Sequence, residues 1–175
     1  MKNKKKKSSI IQVSIGVLAV ILAILIIIMM GIVSDIQGTA RIVNYTGLVR
    51  GETQRLIKLE LSTQQENEMI HEIRTFIDGL RNGNDELNLV RLDDIDFQNK
   101  MQELDDKFSD LYKKIYLVRF KGVKNTDIIP ESEEFFVICD EATGLAEKYS
   151  QKKATSLSLL EKYITADIVV LMLLI

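Results

Sequence analysis

"FQNKMQELDDKFSDLYKKIYLV", residues 97–118, carries Phe97, Met101, Leu104, Phe108, Leu111, Ile115 and Val118 in alternating steps of four and three. That spacing puts all of them on one stripe of an α-helix and leaves the charged residues between them to water. Asp93, Asp94 and Asp96 stand near the start, where negative charge suits the helix dipole, and Lys121 with Gly122 marks the end. Such a stripe needs partners to bury it. Upstream, Met69, Ile70, Ile73, Phe76, Ile77 and Leu80 form a second stripe over residues 63–81, with Thr63 and Glu66 spaced as a capping box and Gly83 as a stop. "NGNDELNLVRLD", residues 82–93, reads as a loop with Leu87, Leu89, Val90 and Leu92 packed down. Downstream, "GVKNTDIIPESE" turns the chain, and Pro130 fits the first turn of a helix from about Glu131 to Lys162. The inner stripe of that helix is Phe135, Cys139, Ala142, Ala146, Tyr149, Lys153, Ser156 and Leu160.

Residues 34–62 run without a helix breaker and supply a further helix. The sequence therefore predicts an all-α protein: an antiparallel up-down-up-down four-helix bundle over residues 34–163, flanked by transmembrane helices. The chain divides into a basic head (1–9), a first transmembrane helix (10–33), the bundle (34–163) and the start of a second transmembrane helix (164–175) that continues past Ile175. Residues 10–33 hold no charge. As a helix they span roughly 36 Å, enough to cross a bilayer. No short apolar core with a small-residue cleavage site is evident, so the run reads as an uncleaved anchor. Lys2, Lys4, Lys5, Lys6 and Lys7 precede it and hold the N-terminus in the cytoplasm, which places residues 34–163 outside.

Charge excludes one class of partner. Between the apolar runs stand 18 basic and 24 acidic residues, an acidic surface that does not attract nucleic acid. Cys139 and His71 are the only residues of their kinds, so no disulfide framework, Cys-based metal site or nucleophile-and-base pair can be assembled; no pattern of metal ligands surrounds His71, and no metal or cofactor is expected. No residue is assigned a catalytic role. The Asp93, Asp94 and Asp96 group reads as an exposed charged face.

The helix over 34–62 has two apolar stripes. One runs through Ile36, Ala40, Val43, Gly47, Ile57 and Leu61; the other, about 100° around the helix, through Ile42, Tyr45, Val49, Leu56 and Leu59. One stripe serves the bundle core, and the second implies a partner chain. Arg50 and Gln54 interrupt the first stripe. Across a two-fold axis each seam residue meets its equivalent, so Arg50 faces Arg50 of a second chain. Two guanidinium groups there repel unless an anion sits between them and accepts paired hydrogen bonds from both. The competing reading pairs Arg50 with Glu52, with Glu60 of a neighbour, or with an acidic residue of the fourth helix.

Asn44, Gly47, Arg50 and Arg55 resemble, in order and spacing, the ligand-binding stretch of bacterial nitrate/nitrite sensor kinases. Residues 38–163 more broadly resemble the N-terminal sensor domain of type IV pili methyl-accepting chemotaxis transducers. "GTARIVNYTGLVRGETQRLIKLEL" and "EATGLAEKYSQKKA" are similar to versions in membrane-bound diguanylate cyclases of Gram-positive bacteria. The resemblance implies a homodimer with one small-ligand site at its interface. Arg50 would contact the ligand and Gly47 would open the backbone to it; Asn44 and Arg55 belong to the same resembling stretch, and Gln54 joins these candidate ligand-binding residues from its place on the seam. It also implies signalling by axial shifts of the first and fourth helices to a cytoplasmic output, foremost a diguanylate cyclase, otherwise a chemoreceptor or histidine kinase. Gly51 and Glu52 depart from the nitrate sensors, which leaves the ligand open. The fragment itself reads as no enzyme but a sensor module in a bacterial membrane. The competing class is a structural membrane-tethered coiled coil without ligand, which gives no reason for Gly47, Arg50 and Gln54 on the seam.

Overall fold

The computed structural model describes residues 2–175, apart from the side chains of residues 2–8 and of Asn125. The lysines of the basic head fall among those undescribed side chains. The described chain is all-helical: α1 (Lys2–Leu61), α2 (Asn67–Asn82), α3 (Ile95–Lys121) and α4 (Ile128–Leu174), with a 3-10 turn at Val123–Asn125 between α3 and α4. An isolated bridge between Asn84 and Leu89 closes the loop after α2.

The residues explain where each helix starts and stops. In α3 all seven heptad positions are buried, and Asp94 caps the first turn by accepting from the Phe97 N–H at 3.0 Å. Each large apolar side chain so buried contributes about 1.5–3 kcal/mol over leaving it in water. Helices α2 and α3 both end on a glycine with positive φ, Gly83 at 85° and Gly122 at 75°, a conformation that a side chain would strain. Helix α4 begins at Ile128, three residues before the expected start, and this still places Pro130 in its first turn.

Two expectations are corrected. The capping box at Thr63 and Glu66 does not form: α2 begins at Asn67, and its cap residue Glu66 makes no side-chain cap. The chain before it closes α1 instead. Thr63 sits at φ 64° and donates its N–H to Glu60, and Gln64 donates to Leu59 at 2.9 Å. The Glu66 N–H is taken by the Glu60 carboxylate at 3.2 Å. In the following loop Leu89 and Leu92 are buried, but Val90 stays half exposed. Val90 covers the α1 backbone at Gly38, where an added Cβ would lie 2.8 Å from its Cγ2.

The chain packs as two units. One is Gln37–Ser150; the other joins the residues up to Ile36 with Gln151–Ile175. Within the first, all four helices feed a single apolar core, from Ile42, Val49 and Leu56 of α1 to Phe135, Cys139, Ala142 and Ala146 of α4. Between those α1 residues, at intervals of seven, stand Thr39, Thr46, Thr53 and Glu60, each at most 2% exposed. The inward face of α1 is thus half polar. Polar pairs fix the register of neighbouring helices. Arg81 of α2 bonds Asp105, and Asn67 bonds Arg119, so early α2 lies by late α3. Lys100 of α3 bonds Glu141 of α4, and Lys107 bonds Glu131.

In the second unit no residue of the apolar stretch of α1 is buried, and Val13, Val20, Ile27 and Met30 are each at least 60% accessible. It is long and apolar enough to be a membrane span or a signal sequence, and it is the one such helix among the described residues. Asp35 and Lys153 pair at 2.7 Å at the polar edge of this unit. Asp167, the sole charge in the C-terminal apolar run, is buried, and its Oδ2 has no hydrogen-bond partner there.

Candidate functional site

The residues singled out by sequence fall on two faces of α1. Gly47, Arg50 and Gln54 share the flank that meets α4, whereas Asn44 and Arg55 lie roughly 80–100° further round, on an exposed face. Arg55 pairs with Glu52 on its own helix at 3.4 Å and is mostly in water. Asn44 points away from the core and takes part in none of the polar contacts described here. The structure therefore brings together three of the five residues.

Arg50 is held by α4. Its guanidinium forms an ion pair with Asp140 and lies 5.2 Å from the centre of the Phe136 ring, one helical turn before that aspartate. In the single chain Arg50 thus finds an acidic partner on the fourth helix. Both ends of the pair keep solvent access, Arg50 at 38% and Asp140 at 50% of the side chain. An ion pair this exposed is worth about 0–1 kcal/mol, so it can be exchanged for another anion at small cost. One turn toward the C-terminus of α1, Gln54 donates to the Ser132 carbonyl at 3.3 Å. One turn toward the N-terminus, the Thr143 hydroxyl donates to the Thr46 hydroxyl at 3.1 Å. A Cβ added at Gly47 would meet nothing within 4 Å, so the surface beside Arg50 is open to a ligand or a second helix.

Beneath the site lies Cys139, fully buried in the core. Desolvation pushes its thiol up to about 12, against a smaller opposing pull from the Arg50 charge. A buried thiol held neutral in this way is a poor nucleophile. Among the described residues no group of three or more potential ligands is placed to hold a metal.

Sequence reasoning missed the most buried ion pair among the described residues. Arg119 of α3 donates to both oxygens of Glu60, one contact being Nε to Oε2 at 2.8 Å, and its Nη1 donates to Asn67 at 2.8 Å. The side chains are 8% and 1% exposed. The Glu60 hydrogen bond raises the Arg119 pKa above its already high ordinary value. Half of this was visible: Glu60 continues the spacing of Thr39, Thr46 and Thr53, a polar heptad that marks a buried polar seam. The Arg119 partner, far along the chain, leaves no local signal.

No protein-family model, no curated protein and no solved structure matches the chain.

Proposed function

We propose that this chain is the extracytoplasmic input module of a transmembrane signalling protein. In this reading residues 34–163 are an antiparallel up-down-up-down bundle, anchored by α1 in a bacterial membrane with the basic head on the cytoplasmic side. Two modules pair through α1, and a small anion binds between them at Arg50, with Gly47 and Gln54 beside it. The output is a cytoplasmic domain beyond Ile175, foremost a diguanylate cyclase. The register pairs between α2, α3 and α4 favour the antiparallel order.

The observation that carries the reading is the exchangeable Arg50–Asp140 pair between the two long helices. Helix α1 runs unbroken from an apolar stretch into the shared core, and α4 runs unbroken from that core into an apolar end. Near Arg50 they are joined by weak polar contacts: the ion pair, the Gln54–Ser132 bond and the Thr46–Thr143 bond. An anion that draws Arg50 away from Asp140 removes one of these and binds the α1/α4 arrangement differently. Such differential binding is what a ligand needs in order to shift a conformational equilibrium.

The test is a thermal-shift panel on the full chain in detergent micelles with nitrate, nitrite, acetate, sulfate and amino acids. A ligand at a hundredfold excess over its dissociation constant stabilises the folded state by about 2.7 kcal/mol. Arg50→Ala is expected to abolish that shift. If no anion moves either protein, the receptor reading fails.

A further inference from the structure

The chain has seven arginines, all among the described residues. Six have a polar partner, as Arg50 has Asp140, Arg81 has Asp105 and Arg119 has Glu60. Arg74 of α2 makes neither a hydrogen bond nor an ion pair among the described residues. It is held instead by rings of α3: its guanidinium carbon lies 5.7 Å from the centre of Phe108 and 5.5 Å from that of Tyr112. Stacking of this kind fixes a guanidinium in place and leaves its N–H donors unclaimed by the protein.

Arg74 borders a cleft of about 440 Å³ between α2 and α3, lined also by Asn67, Ile70, His71, Tyr112 and Tyr116. The two tyrosines sit one turn apart on α3 and pack edge to face, with ring centres 5.1 Å apart, so they form a continuous aromatic wall. The cleft thus combines one free cation, hydrogen-bonding side chains and two tyrosine rings set nearly at right angles to each other, the Tyr116 ring also meeting the Arg119 guanidinium at 5.6 Å. A second, adjoining cleft shares His71 and Arg74 but is lined by Asp78 and Asp105. Of those carboxylates Asp105 is already paired with Arg81 and Asp78 accepts a hydrogen bond from Asn82, so Arg74 is the charge left to meet an anion.

We propose that the α2–α3 cleft binds a small aryl carboxylate, its carboxylate on Arg74 and its ring along Tyr112 and Tyr116. The carboxylate matches the guanidinium fork with paired hydrogen bonds, and the ring uses a wall that a bare inorganic ion would leave wet. This site lies on a different helix pair from Arg50 and does not depend on the reading given for that residue.

The experiment uses the full chain in detergent micelles and benzoate as the probe, followed by thermal melting and titration calorimetry. Benzamide supplies the ring without the charge, and acetate the charge without the ring. Benzoate is expected to raise the melting temperature at millimolar concentration, and each comparator to do much less. Arg74→Gln removes a side chain with no polar contact to lose, so the chain should fold, and it is expected to weaken benzoate binding about tenfold or more. Tyr112→Leu is expected to weaken it as well, whereas Arg50→Ala leaves it unchanged. The proposal is overturned if benzoate gives no shift, if acetate matches it, or if Arg74→Gln binds as tightly as the parent. Binding lost in Arg50→Ala but kept in Arg74→Gln also overturns it and assigns the ligand to the α1 site.

Discussion

Cys139 shows how one side chain ties packing to chemistry. It sits in the α4 stripe beside Phe135 and Ala142, wholly out of water. Burial lifts its thiol from an ordinary 9.0 to about 12. As pH rises through this range the unfolded thiol ionises first, so the unfolded state binds fewer protons and stability falls. The contribution is full below about pH 9 and is lost progressively toward pH 12. Lys100 and Lys107 act in the same direction: hydrogen bonds to Glu103 and Glu141, and to Glu134 and Glu131, raise their pKa values above 10.5, and that stability is lost as pH climbs past the raised values. Cys139→Ala is therefore expected to flatten, without abolishing, the alkaline decline in melting temperature. Iodoacetamide at pH 8 is expected to leave the folded parent unlabelled and to label it rapidly in denaturant. Rapid labelling of the folded chain would show that the α4 stripe opens readily.

At the scale of elements, the heptad of α3 was legible because every one of its positions is apolar, and the structure buries all seven. Helix α1 was harder to read. Its apolar stripes compete, and the side that faces the core carries Ile42, Val49 and Leu56 alternating with Thr39, Thr46, Thr53 and Glu60. Apolar periodicity does not register a seam in which every second position is polar. The start of α2 was misplaced because Thr63 and Glu66 have the composition of a cap, while Glu60 claims the Glu66 N–H and α1 claims the turn. Glu60 is thus a joint among α1, α2 and α3. Glu60→Ala leaves Arg119 buried without its counter-charge, which costs about 3–5 kcal/mol. The expected result in a denaturant melt is a loss of that size. The double change Glu60→Leu with Arg119→Leu is expected to recover most of it, since replacing both partners leaves no orphaned charge. If the single change costs nothing, the pair is solvated and the joint is not closed.

For the whole molecule the question is what covers the flank of α1 that carries Gly47. Within the chain Arg50 reaches Asp140, and no protein atom lies where a Gly47 side chain would point. The sequence marked Gly47, Arg50 and Gln54 as one surface because helical spacing alone aligns them. Asn44 and Arg55 entered through resemblance, and the same helical arithmetic sets them on another face. Asp140 and Phe136 were not singled out, since contacts between α1 and α4 depend on a register that local pattern does not encode. If two copies meet along this flank, the Gly47 positions lie on or near the two-fold axis. Gly47→Cys then brings two thiols within bridging range, which requires Cα atoms no more than about 7 Å apart. Cys139 cannot confuse the result, being buried and neutral. Mild oxidation of the Gly47→Cys chain in lipid vesicles is expected to give a disulfide-linked dimer on a non-reducing gel, and Arg55→Cys, on the other face, much less. Equal cross-linking at both positions would mean that the chains collide without a fixed interface. None at Gly47 would leave Arg50 facing only Asp140 and remove the second wall from the proposed anion site.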